Sequence, residues 1–304
     1  MPDTDSKKGR LLIPAVTTDG VRAYIATLPR EMTEDRGRKH YHVWTYVIRK
    51  FLGEEWVSKH VLAHTLNPRQ LGPVGFLELD FSSNEIRENK TLRIFDLAEI
   101  LINLQLIEGF DECIKRLKTG DAQQVEATFA ELQVGKLLYV HDMNFRFVVP
   151  TGNKYGNYDY EIDFKGGWTA CADAKCKLEA HEINPVSVKT SLDEARGQLP
   201  PNRPGIIFVK VPQHWFSAGN QMAERLRDIT REFLRGTGRI VSVKFYVSHV
   251  AFVNQHTVHR HAYDEINNPT ARFARKYWDI FKGYYVPREW NGMPPKWIRL
   301  IDFK

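Results

Sequence analysis

The chain has 304 residues, 42% of them hydrophobic and 26% charged, enough apolar content for a sizeable core and about two domains. No apolar run approaches the roughly 18 residues of a membrane span, and the opening MPDTDSKKGRLLIP lacks the apolar stretch of a secretory signal. Cys113, Cys171 and Cys176 have neither disulfide-framework nor metal-ligand spacing, which favours a reducing, cytoplasmic setting. A net charge of +6 leans mildly towards a polyanionic partner.

Residues 1–10 read as a polar, disordered lead-in. Within 11–90, HVWTYVIRKFLG (42–53) and EWVSKHVLAHTL (55–66) carry helical or strand-like spacing, and NPRQLGPVG (67–75) breaks the chain. This N-terminal mixed or helical region, 1–90, has no assignable role and ends at SSNEIRENK (82–90). From 91 the pattern sharpens. Ile94, Leu97, Ile100, Leu101 and Leu104 form a helical stripe, and GFDECIKRLKTG (109–120) gives a second helix closed by Gly120. A long amphipathic helix follows over DAQQVEATFAELQVGKLLYV, with Asp121 as N-cap and Gln124 three residues on, a capping-box arrangement. Glu131 stands at the edge of its apolar stripe, between core and solvent.

FRFVVP (145–150), YDYEIDF (158–164) and GWTACADAKCK (167–177), separated by Gly-containing turns, read as an antiparallel meander. A helix over PVSVKTSLDEARGQL (185–199), a buried strand IIFVKVP (206–212), a helix AERLRDITREFLRG (223–236) and a long strand RIVSVKFYVSHVAFVN (239–254) complete an α/β pattern. The order divides the chain into 1–90, a domain over 91–254 and an irregular, aromatic and basic C-terminal extension over 255–304.

The meander carries the chemistry. In 158–164 the even positions Tyr158, Tyr160, Ile162 and Phe164 share an apolar face, while Asp159, Glu161 and Asp163 take the other. In 168–177 Ala170, Ala172, Ala174 and Cys176 face one way, and Asp173, Lys175 and Lys177 the other. Such a face is either wet or made for a cation. With a three-residue turn at 165–167, Phe164 pairs with Trp168 and Asp159 falls opposite Asp173, with Cβ atoms roughly 5 Å apart. Glu161 falls opposite Cys171, and Asp163 opposite Thr169, roughly 13 Å from Asp173. Glu161 and Asp163 therefore read as surface residues. Two carboxylates as close as Asp159 and Asp173 repel unless a hard cation such as Mg²⁺ bridges them.

Asp173-Ala174-Lys175, with Asp159 fourteen residues earlier, resembles the (D/E)xK element and leading Asp of the PD-(D/E)XK, restriction-endonuclease-like nuclease superfamily. The resemblance covers about 121–212 and implies that family's core: helix, three-strand antiparallel meander, helix, strand. Glu131 suits the Glu that the family often carries on its first helix, and Gln198 the Gln on the helix after the meander. Tyr158 replaces the usual Pro before the leading Asp, and Asp173 stands where Glu is commoner. The resemblance implies a metal-dependent nuclease hydrolysing phosphodiester bonds, a DNA endonuclease above all. Asp159, Asp173, Glu131 and the Ala174 carbonyl would hold Mg²⁺, with Mn²⁺ accepted. Lys175 would position water or stabilise developing charge, free of structural duty, while Lys177 would hold a neighbouring phosphate and Gln198 support the site. The implied partner is nucleic acid, with a homo-oligomer or a larger processing complex open. A catalytically silent nucleic-acid-binding protein on the same fold is the alternative.

Three further features compete less well. His256, His259 and His261 cluster without helix-face spacing or assisting cysteines, which favours a surface segment over a metal site. RGRKHYH (36–42) and RFARKYW (272–278) interleave bases with aromatics, equally consistent with nucleic-acid contact and with aromatics turned into the core.

Overall fold

Six strands run in chain order through one mixed sheet: β1 (Asn144–Phe147), β2 (Tyr160–Phe164), β3 (Trp168–Cys176), β4 (Gly205–Lys210), β5 (Ile240–Val253) and β6 (His256–Asn267). β1, β2 and β3 pair antiparallel, β4 and β5 follow parallel, and β6 joins antiparallel. This computed structural model describes residues 16–63, 75–164, 167–179, 181–182, 184–217, 220–253, 256–274 and 296–303. The fold is mixed α/β.

Ten helices are described, of which the first four pack on other helices rather than on the sheet. They are α1 (Thr18–Thr27), α2 (Arg30–Glu34), α3 (Arg36–Leu52), α4 (Glu54–His60), α5 (Asn84–Leu104), α6 (Phe110–Thr119), α7 (Ala122–Val140), α8 (Pro185–Gln198), α9 (Gln213–Ser217) and α10 (Asn220–Arg235). Asp121 caps α7 by accepting the Gln124 N–H at 2.9 Å. The Gln124 side chain turns to Thr128 instead of completing a reciprocal box. α8 starts at Pro185, where a missing N–H costs nothing, and Asn184 accepts from Val186 and Ser187.

Strand alternation sorts two cores. On one face Tyr160, Ile162, Ala170, Ala172, Ile206 and Phe208 pack with Phe129 and Leu132 of α7. On the other, Cys171, Ile207, Val209 and Val243 pack with Val188, Leu192 and Ala195 of α8 and Leu226 and Phe233 of α10. Small residues bring α7 close to its neighbours: a Cβ on Gly135 would lie 3.0 Å from Leu104 Cδ1 and from Phe147 Cζ.

Three features differ from the sequence expectation. The segment after 255, expected to be irregular, supplies β6, which pairs along β5 from Val253↔His256 to Ser242↔Asn267. HTVHRHAYDEIN has few apolar residues, so its place comes from ladder hydrogen bonds that hydropathy does not register. The expected boundary at 90 falls inside α5, and one apolar core runs from Val16 through α3, α5 and α7 to Leu300. Tyr158, expected beside Tyr160, precedes β2 and joins the opposite core. Among the described residues no helix is long and apolar enough to cross a membrane.

Candidate active site

The β2–β3 register is the expected one, with Phe164↔Trp168, Asp163↔Thr169 and Glu161↔Cys171. Asp159 lies one residue before β2 and is pinned at both ends. Its N–H donates to the Ala172 carbonyl at 3.0 Å, and its Oδ2 accepts the Ala174 N–H at 2.7 Å. Asp173 stands between those two partners, so the two acids sit side by side. At Asp173 the odd face is not wet, since this residue is 1% exposed, whereas Asp163 is exposed.

Lys175, two residues on, turns back to this pair. Its Nζ lies 2.9 Å from Asp173 Oδ2 and donates to Gln198 Oε1 at the end of α8. Buried Asp173 Oδ2 therefore faces the Lys175 ammonium directly. Burial pushes Asp173 up to about 6 against the opposing pull of Lys175. Asp159 is raised well above the usual carboxylate range by burial first, then by the charges of Glu131 and Asp173. Lys175 therefore does have a structural role, as the cation beside a buried carboxylate.

Glu131 also reaches this cluster, since its charge acts on both aspartates. It is buried at 4% exposure rather than at the core edge, because Arg116 of α6 covers it at 2.6 Å and Cys113 Sγ lies 3.4 Å away. Its main-chain carbonyl accepts the Tyr160 hydroxyl. Among the described residues no group of three or more His, Cys, Asp or Glu side chains is placed to hold a metal ion. Asp159 and Asp173 are a carboxylate pair of the kind a hard cation takes together with water and phosphate, with Lys175 Nζ 2.9 Å from Asp173 Oδ2. Glu131 is committed to Arg116.

Lys177 is engaged away from the acid pair. Its ammonium donates to the Ser187 carbonyl at 2.7 Å, the Ser187 hydroxyl at 2.8 Å and the Ser191 hydroxyl at 2.6 Å, tying β3 to the start of α8. Beside it, between α6–α7 and α8, opens a polar cleft of about 680 Å³ lined by Arg116, Thr119, Asp121, Gln124, Lys177 and Ser187.

Sequence reading missed several residues here. Arg116, Ser187 and Ser191 carry no local signal. Glu161, expected at the surface, is 7% exposed and receives Arg146 and Arg203. Lys210 could have been found, because a lone cation in IIFVKVP must meet carboxylates once buried. It does, pairing with Glu126 at 2.8 Å and Glu179 at 3.1 Å. Burial raises Cys113, Cys171 and Cys176, so none is an activated thiolate. In 36–42, His40 is buried and stacks on Trp44 at 5.9 Å, while Arg36 and Arg38 are exposed. His256, His259 and His261 fall on β6, with side chains outside the described atoms. Residues 275–278 of RFARKYW are outside the described residues.

No protein-family model and no curated protein matches the sequence. Among solved structures, that of Pyrococcus furiosus SfsA in complex with Ca²⁺ is similar at 12% identity and a TM-score of 0.24, over 45% of this chain and 62% of that one. The chain thus spans less than two thirds of SfsA, and so low a TM-score carries no conclusion about fold or chemistry.

Proposed function

We propose that the chain is a metal-dependent nuclease with a restriction-endonuclease-like core, acting as an endonuclease on DNA. One observation carries the reading: Asp159 is pinned astride Asp173, and Lys175 of the same strand bridges Asp173 and Gln198. An acid pair beside a lysine is a set that metal-assisted phosphodiester hydrolysis can use, and burying it without function would be costly.

In this reading Asp159 and Asp173 hold Mg²⁺ or Mn²⁺, with the Ala174 carbonyl as a further ligand. Bound there, the ion would acidify water and offset charge on the scissile phosphate. Lys175 supplies a compact positive charge towards the developing oxyanion. Gln198 holds that ammonium in place, and Arg116 keeps Glu131 turned and neutralised behind the pair. Lys177 fixes the β3–α8 junction that carries Gln198. The reading also takes nucleic acid as the partner of the polar cleft.

The test is cleavage of plasmid, oligodeoxynucleotide and RNA substrates with Mg²⁺, Mn²⁺ or EDTA. Cutting that requires metal and vanishes in Asp173→Ala is expected. If the parent binds nucleic acid but cuts none of these substrates with either metal, the silent-binder alternative replaces this reading.

A further inference from the structure

Glu161 presents a second ionic group one step along the same sheet face. Its buried carboxylate accepts from Arg203 Nη1 at 2.6 Å, from the Tyr158 hydroxyl at 2.7 Å and from Arg146 Nη2. Two guanidinium groups share one carboxylate, so the cluster keeps an excess of positive charge. One arginine would neutralise Glu161. The second, with both side chains 42–43% exposed, calls for another anion.

The registers place this cluster on one rung across the sheet, Arg146↔Glu161↔Cys171↔Gly205↔Ile240. Asp173 stands one same-face step away, roughly 7 Å at strand rise. Two further cations gather near the Ile240 end of the rung. Arg203 lies two residues before Gly205, whose N–H donates to the Arg239 carbonyl at 2.9 Å. The Arg239 guanidinium lies 5.5 Å over the Tyr155 ring, and Lys154 Nζ lies 5.1 Å from the same ring. Cations towards both ends of a rung that passes beside an acid pair fit an extended polyanion better than a compact one.

We infer that Arg146 and Arg203, oriented by Glu161, clamp a backbone phosphate one or two nucleotides from the bond at Asp159 and Asp173. The substrate is then a polynucleotide running past its scissile bond across the β1–β5 rung. This rests on the nuclease reading for its cutting site but not for its binding.

The test measures anisotropy of labelled DNA and RNA oligonucleotides of about 16 nucleotides in EDTA, across a salt series. The proteins are the parent, Arg146→Gln, Arg203→Gln and the double variant. Glutamine keeps an N–H for Glu161, and melting curves check the fold. Each single change should weaken binding by about tenfold and lower the salt slope by about 0.7–0.9. If the double variant does not fold, Arg146→Gln carries the test, since Arg203 still covers Glu161. A folded variant that binds with parental affinity and salt slope overturns the clamp. A parent that never cuts, with variants that still lose binding, sinks the nuclease reading and supports the clamp.

Discussion

Asp173 concentrates the chemistry because its surroundings disagree about its charge. Burial favours the protonated acid, and Lys175, 2.9 Å from Oδ2, the carboxylate. Such a group is poised to exchange its proton for a cation. Lys175→Ala removes the nearest positive charge and frees Gln198. The variant should fold with stability lower by about 1–3 kcal/mol, because Asp173 stays buried and can only neutralise itself. Cleavage should fall at least about 100-fold, the scale of losing one electrostatic stabiliser. Gln198→Ala, which leaves Lys175 in place but unheld, should cost less, about tenfold. Thermal melting and single-turnover cleavage on all three proteins decide this. A Lys175→Ala protein that cuts at the parental rate removes these residues from the mechanism.

At the scale of elements, the site depends on how β1 and α7 are set against β2. Gly109 begins α6 with φ of +80°, and a Cβ there would come within 2.2 Å of the Phe147 carbonyl oxygen. The Phe147 N–H in turn donates to the Glu108 carbonyl at 2.9 Å. Gly109→Ala must therefore part α6 from β1, on top of a left-handed backbone that alanine resists. Chemical denaturation should register a loss of about 3 kcal/mol or more; an unchanged midpoint would mean the junction is not tight. The sequence allowed some of this geometry to be read and hid the rest, for one reason. The β2–β3 register follows from alternation of small and acidic residues over a short hairpin, whereas Asp159, one residue before β2, is held by the Ala172 carbonyl and the Ala174 N–H rather than by a ladder pair with Asp173. Glu161 and Glu131 were misplaced because their arginines arrive from distant segments, 42 residues away for Arg203 and 15 for Arg116. Burial of a charge is decided by such partners, and hydropathy of the strand says nothing about them. β6 escaped notice in the same way, since its partner β5 supplies what its own composition lacks.

Across the whole molecule, the two ends of the described chain meet at α5 and the residue that follows it. Glu99 accepts the Trp297 indole N–H at 2.9 Å and the Leu300 N–H at 2.8 Å. Asn103 exchanges hydrogen bonds of 2.7 and 2.9 Å with Ile298. Val16, near the other end of the described chain, bonds Gln105 of the same region at 3.0 Å. A core shared this widely predicts one cooperative unfolding transition rather than two. It also makes stability depend on Glu99. Burial pushes this carboxyl up to about 7 from an ordinary 4.5, against the lowering influence of the Trp297 bond, Lys136 and the Leu300 N–H. Below pH 4.5 native and unfolded chains both hold the proton and the group is neutral in its effect. Between 4.5 and about 7 the unfolded chain releases it while the native one retains it, so stability falls as pH rises. Above that window native Glu99 carries a buried charge at a cost of about 3 kcal/mol. Glu99→Gln cannot titrate. Whatever fixed cost its altered hydrogen bonds to Trp297 and Leu300 impose will be the same at every pH. Urea denaturation of parent and variant across this window should therefore show the variant gaining on the parent by about 1–3 kcal/mol as pH rises. A difference between them that stays constant would mean Glu99 is ionised throughout, and that the C-terminal segment docks on a charged carboxylate instead.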